Sequence, residues 1–196
     1  MKRALIVIVL LVLTVFAFAQ EYTLRYSGDV EGSITVLKEN SGRIIITSNL
    51  SKGVTPVNSE ICPLIPPGEE FDIGSAYLQS VIIDGNTRTL TQSHGGWEKT
   101  VVDGNTTTVT RSDGQWTKTV IDGNIVTTTL SNGNSYETSL EEHTSMIGFF
   151  IRKATAGAET VVNGNTTTIT FRHGGKIVAE RQGNTITIHQ TGVFYQ

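Results

Sequence analysis

The sequence predicts an all-β protein, an antiparallel meander of repeated hairpins that forms an extended sheet, an open barrel or a sandwich. The first observation is that Asp-Gly-Asn recurs every 19 residues, at Asp84, Asp103 and Asp122. The second is that Ser-x-Gly turn signals and runs of Thr, Val and Ile lie between these tripeptides, so each unit contains two turns and two strands. The pattern is interrupted near residues 140–155, where one short helix is expected.

The N-terminus has the pattern of a signal peptide over residues 1–19. Lys2 and Arg3 precede an apolar run, 4–16, which is followed by the small-x-small site Ala17-Phe18-Ala19. An uncleaved anchor is the alternative, but the run is shorter than the roughly 20 residues that a spanning helix needs. We therefore expect a mature chain that starts near Gln20, has no transmembrane segment and is secreted to the periplasm, the medium or the cell surface.

Charge and cysteine content argue against nucleic acid as a partner and against an internal disulfide. Removing 19 residues from 196 leaves 177 and changes the formal charge from −3 to −5, because both removed charges are basic. Nucleic acid is not expected as a partner, since phosphate binding needs clustered Lys and Arg. Cys62 is the only cysteine, so the chain has no internal disulfide, and we expect this thiol to be a small buried side chain.

Before the repeats, two segments differ in pattern. Residues 20–50 are predicted to form N-terminal strands, because 22–26, 33–38 and 43–47 alternate between apolar and polar residues. Residues 51–75 contain all four prolines of the chain and are predicted to be a connection.

The odd repeat length over residues 76–140 constrains the hairpins. Side chains alternate faces with period two, so equivalent residues keep their face only if one loop has an even and the other an odd number of residues. Asp103-Gly104 suits a two-residue type I′ turn, and Ser112-Asp113-Gly114 suits a three-residue loop with a glycine bulge. Val and Ile concentrate beside the Asp-Gly-Asn turns, so a packed core is expected at that end.

This pairing predicts a row of aromatic side chains. It places Thr110 opposite both Trp97 and Trp116, so the two indoles share a face, roughly 9.5 Å apart by the strand spacing. Tyr136 takes the equivalent place in the next unit if one extra residue is allowed after Asn132-Gly133-Asn134.

Residues 141–158 depart from the repeat and are predicted to be a helical or irregular insertion. Ser139 and Glu142 form a capping-box signal, and Ile147, Phe150 and Ile151 lie on one helical stripe. A strand through 147–152 is the competing interpretation. Hairpins resume over residues 159–196, where 161–170 nearly repeats 101–110 with Asn163 in place of Asp103.

The residues offer no catalytic, metal or cofactor site. Equivalent aspartates of successive turns lie too far apart to share one Ca²⁺. The four histidines are not spaced as metal pairs, and no nucleophile elbow occurs, so we expect no enzyme. A water-ordering, ice-binding surface is disfavoured because Lys, Glu and Trp interrupt the Thr rows.

The remaining hypotheses concern binding and structure. The leading one is a secreted, non-enzymatic β-repeat protein with a structural or adhesive role at the cell envelope, which self-associates through exposed sheet edges. The alternative is a glycan-binding module in which Trp97, Trp116 and Tyr136 stack on sugar rings of a polysaccharide or envelope component. The same rings could instead pack over Thr methyls and Lys stems. A membrane barrel is disfavoured, because its outward positions would be Thr, Lys and Glu.

Overall fold

A computed structural model describes residues 19–141 and 157–192, and these residues form sixteen β-strands. The predicted signal peptide lies outside them except for Ala19. Leu140 and Glu141 are helical, but the rest of the predicted insertion, residues 142–156, also lies outside the described residues. Within the described part of the chain, no helix is long and apolar enough to cross a membrane.

Six strands lie before residue 87: three in the N-terminal segment, where the sequence predicts strands, two in the Pro-rich segment, and one that begins the repeat region. They are β1 (Gln20–Gly28), β2 (Glu31–Lys38), β3 (Ile44–Lys52), β4 (Val54–Asn58), β5 (Glu70–Gly74) and β6 (Leu78–Asp84). The sequence pattern did not predict β4 and β5, because prolines obscure the alternation there. These two strands pair with each other as a separate antiparallel ribbon.

After β6, the repeat region supplies six further strands and the C-terminal hairpins supply four. The repeat strands are β7 (Thr87–Gln92), β8 (Trp97–Asp103), β9 (Thr106–Arg111), β10 (Trp116–Asp122), β11 (Ile125–Leu130) and β12 (Ser135–Ser139). The C-terminal strands are β13 (Glu159–Asn163), β14 (Thr166–Thr170), β15 (Lys176–Gln182) and β16 (Thr185–Thr191).

All strands except β4 and β5 belong to one open, 14-stranded sheet. Its order is β12-β11-β10-β9-β8-β7-β6-β3-β2-β1-β16-β15-β14-β13, so the repeat strands and the C-terminal hairpins form opposite ends. Every neighbouring pair is antiparallel except β1 and β16, which run parallel. The structure therefore confirms an extended, mostly antiparallel meander.

The core lies between the β4–β5 ribbon and one side of the large sheet. We call this side, which carries Leu24, Ile34 and Ile46, the front face, and the opposite side the back face. All three side chains are fully buried against Val57 and Ile73 of the ribbon. Each buried aliphatic side chain of this kind contributes roughly 1.5–3 kcal/mol to folding.

Most of the repeat strands lie outside this core. Strands β7 to β10 contain no buried residue on either face. Val102 and Ile121, beside the Asp-Gly-Asn turns, remain 37% and 36% exposed. The expectation of a core at that end holds only in part: Ile83 and Val126, beside the first and third Asp-Gly-Asn turns, are buried, whereas the residues beside the second are not. The β4–β5 ribbon covers the front face as far as β7, where Glu69, next to β5, forms an ion pair with Arg88.

Candidate functional site

The two loop types of each repeat set the positions of the candidate aromatic residues. The Ser112-Asp113-Gly114 loop has three residues: Thr110 pairs with Trp116, and the Gly114 amide donates to the Arg111 carbonyl at 3.0 Å. Gly114 has a φ of 83°, as a glycine bulge requires. This loop is the one that the sequence predicted.

The Asp-Gly-Asn turn differs from the prediction by one residue. Asp103 pairs with Thr106, so the two loop residues are Gly104 and Asn105. Gly104 has a φ of 57°, and no described residue other than glycine has a positive φ. A positive φ at the first loop position alone is the type II′ pattern, rather than the type I′ pattern expected from Asp-Gly. The loop still has two residues, so the predicted combination of even and odd loops is confirmed.

Trp97 and Trp116 share the back face, as predicted, although only one of the two predicted pairs, Thr110 with Trp116, is present. Lys99, not Trp97, lies opposite Thr110, which pairs with Trp116 on its other side. Trp97 lies two residues from Lys99 on β8 and therefore on the same face. Equivalent residues of successive units are thus displaced by two strands and by two residues along the strand, which separates their Cα atoms by about 12 Å.

Tyr136 does not belong to the aromatic row. It pairs with Thr128, which pairs with Thr119 of β10. Thr119 faces away from Trp116, so Tyr136 lies on the front face. The earlier placement was wrong because the loop after Leu130 acquires no extra residue: the Leu130 amide donates to the Asn134 carbonyl at 2.8 Å. Ser135 instead takes the position equivalent to the tryptophans.

Both indoles are accessible and lie among hydroxyl and ammonium groups. Trp97 is 40% exposed and Trp116 is 37% exposed, while Tyr136 on the other face is 48% exposed. Trp97 pairs with Thr91 and Trp116 with Thr110, and a lysine follows each indole two residues later on the same face. An indole offers an apolar face beside polar groups, which is the arrangement that stacks on sugar rings.

A separate cleft of about 300 Å³ lies between the Pro-rich segment and the end of the sheet at β13–β16. Glu60 and Arg181 are its charged lining residues. The Thr160 hydroxyl donates to the Glu60 carboxylate at 3.1 Å, and the Arg181 guanidinium lies 5.2 Å from the centre of the Tyr22 ring. Both charged groups of the cleft therefore already contact protein groups.

Two buried groups lie beneath the β4–β5 ribbon rather than at a surface site. Burial raises the pKa of the Tyr26 phenol and of the Cys62 thiol. The sequence predicted that Cys62 is buried, and the structure confirms this. Such a thiol stays protonated at neutral pH, which is typical of a structural cysteine.

The histidines, cysteine and carboxylates of the described residues contain no group of three that could hold a metal ion. No protein-family model, curated protein or solved structure matches this chain.

Proposed function

We propose that this chain is a secreted, non-enzymatic β-repeat protein with a structural or adhesive role at the cell envelope. The observation that supports this role is the sheet over β7–β10, in which no residue is buried on either face. A sheet without its own core extends the molecule and offers two broad surfaces to partners. The export signal at residues 1–19 supports an extracytoplasmic location.

Location and processing test this proposal. Fractionation of the native host, followed by mass spectrometry of the N-terminus, should find the chain in the envelope or the medium with Gln20 as its first residue. A cytoplasmic chain that retains the 1–19 segment would contradict the proposal.

Sheet edges are the proposed route of self-association. Strand β13 forms one edge of the large sheet, and its Val161 and Val162 side chains are 52% and 68% exposed. Exposed apolar edge strands pair readily with other chains. Light scattering of the mature chain should show a mass that rises with concentration, and Val162→Lys should suppress the rise. A mass that is monomeric at all concentrations would reject this route.

Glycan binding by Trp97 and Trp116 is the second candidate function. It is favoured by their shared face and by exposed fractions of 40% and 37%, which leave both rings open to a ligand. Stacking of an aromatic ring on an apolar surface contributes free energy beyond simple area burial. The Thr hydroxyls beside the rings supply hydrogen-bond donors and acceptors.

The test is retention on a polysaccharide array. The double variant Trp97→Ala, Trp116→Ala should lose retention, whereas Tyr136→Ala, which truncates an exposed aromatic ring on the opposite face, should not. Circular dichroism should show that both proteins keep their β-structure. Retention of the double variant at the wild-type level would remove the glycan hypothesis.

A further inference from the structure

A row of hydroxyl side chains crosses the back face at right angles to the strands. Each member pairs directly with the next, from β16 through β1, β2, β3 and β6 to β7. We call it the hydroxyl row; its members are Thr185, Thr23, Thr35, Thr47, Ser80 and Thr91. Five strand spacings of about 4.8 Å give it a length of roughly 24 Å. Thr91 pairs in turn with Trp97, so the row ends at an indole.

A second row runs beside the first. Leu37, Ile45 and Ile82 pair in succession on β2, β3 and β6, and we call them the aliphatic row. Each lies two residues along its strand from a member of the hydroxyl row, about 7 Å away. The register continues from Ile82 through β7, β8 and β9 and reaches Trp116 on β10. Trp97 thus directly follows the hydroxyl row, whereas Thr89, Lys99 and Thr110 lie between the aliphatic row and Trp116.

The paired rows are accessible and carry no formal charge. No member of either row is buried, although the front-face residues of the same central strands form the core. Charged back-face residues lie two positions along the strand from members of the rows, Glu21 and Arg25 beside Thr23 and Asp84 beside Ile82, and Lys99 continues the register of the aliphatic row beyond Thr89. Because these flanking charges are of both signs, a polymer of one charge would find no uniform complementary charge along the rows, so the rows suit an uncharged ligand.

We propose that an uncharged, linear polysaccharide binds along these rows, across the strands rather than parallel to them. The proposal rests on the glycan-binding candidate and extends its site from the repeats to the N-terminal and C-terminal strands. Sugar rings contact the aliphatic row and the indoles through their apolar C–H faces, and their hydroxyls exchange hydrogen bonds with the hydroxyl row.

The side chains of the hydroxyl row suit this task for two physical reasons. A Thr or Ser hydroxyl both donates and accepts, so it can match a sugar hydroxyl in either orientation. The β-branch of threonine restricts χ1, which lowers the entropy lost when the hydroxyl is fixed by a ligand. Equal spacing across six strands repeats the same contact, as a polymer of identical sugars requires.

The experiment removes hydroxyls without changing side-chain shape. Thr23→Val, Thr35→Val and Thr47→Val are combined in the full mature chain, and binding to microcrystalline cellulose and to insoluble chitin is measured by sedimentation. We expect affinity for the retained polymer to fall on the order of a hundredfold, since three hydrogen bonds are lost. The matched control, Thr100→Val with Thr117→Val and Thr119→Val, makes the same change on the front face and should bind like the wild type.

The outcomes separate the row from the tryptophans. If the back-face triple variant binds normally while the double tryptophan variant does not, the row proposal is wrong and the indole site stands. If both variants bind normally, or if wild type binds neither polymer, both ideas fail. Ice crystals shaped by the wild-type chain but not by the back-face triple variant, without polymer binding, would overturn the proposal in favour of a water-ordering surface.

Discussion

Asn105 joins two successive repeat units through both its side chain and its backbone. Its Nδ2 group donates to the Ile121 carbonyl at 2.7 Å, and its own carbonyl accepts from the Ile121 amide at 3.0 Å. Asn86 makes the same pair of bonds to Val102. The asparagine of each tripeptide therefore extends the ladder to the next unit, which explains its place in the repeat better than a ligand role does.

We expect Asn105→Ala to lower the free energy of unfolding by about 1 kcal/mol, the net value of one hydrogen bond. The backbone bond to Ile121 is retained, so the fold should persist. Urea denaturation followed by circular dichroism measures the change. Gln115→Ala, an exposed amide at the opposite end of the hairpin, is the control. Equal stability of the two variants would show that the side-chain bridge contributes nothing.

A deletion of one whole repeat should be tolerated. Removing residues 103–121 joins Val102 to Asp122 and restores an Asp-Gly-Asn turn in the same position, with every remaining side chain on its original face. We expect a cooperative thermal transition and unchanged β-sheet circular dichroism. Removing only 103–120 leaves one extra residue before the turn and should lower the melting temperature or cause aggregation. If both deletions behave alike, the parity of the repeat does not govern the fold.

Gly104→Ala tests the turn itself. A Cβ atom there would meet no heavy atom within 4 Å, so any destabilisation reports the backbone conformation and not a clash. The φ of 57° is unfavourable for alanine, and we expect a loss of about 1–2 kcal/mol in thermal denaturation. Asp103→Ala, at the neighbouring position without a positive φ, is the control and should cost less. A neutral Gly104→Ala would contradict the assigned turn.

Stability should fall at alkaline pH because of Tyr26. Burial raises the pKa of its phenol above the ordinary 10.0, so the unfolded chain releases this proton at a lower pH than the folded chain. Stability is therefore complete below about pH 10 and decreases as the pH rises further. Tyr26→Phe removes the titrating group and should flatten this decline.

Thermal melts between pH 7 and pH 11 measure the effect. Tyr77→Phe is the matched control, since Tyr77 is 70% exposed, and it should leave the decline unchanged. An equally steep decline in Tyr26→Phe and wild type would show that Tyr26 does not cause the alkaline loss.

The repeat length and the turn residues by themselves determined that this chain forms hairpins, with Trp97 and Trp116 on one face. That inference needs only the two-residue periodicity of strands and the loop parity, which are local properties. The same reasoning failed for Tyr136, because one assumed loop residue moves a side chain to the other face. It also placed the Asp103 turn one residue too early, since an Asp-Gly-Asn sequence is compatible with more than one type of two-residue turn.

Only the tertiary structure decided where the core lies and how the ends of the chain meet. The parallel pairing of β1 with β16 joins segments more than 150 residues apart in the sequence. No local sequence pattern predicts this pairing. The β4–β5 ribbon packs on the front face of the central strands because its Val57 and Ile73 find apolar partners there. Because the ribbon packs on the front face, it leaves the back face of the central strands uncovered. The hydroxyl row on that face is aligned only by pairing between strands that are distant in sequence, such as β1 and β16.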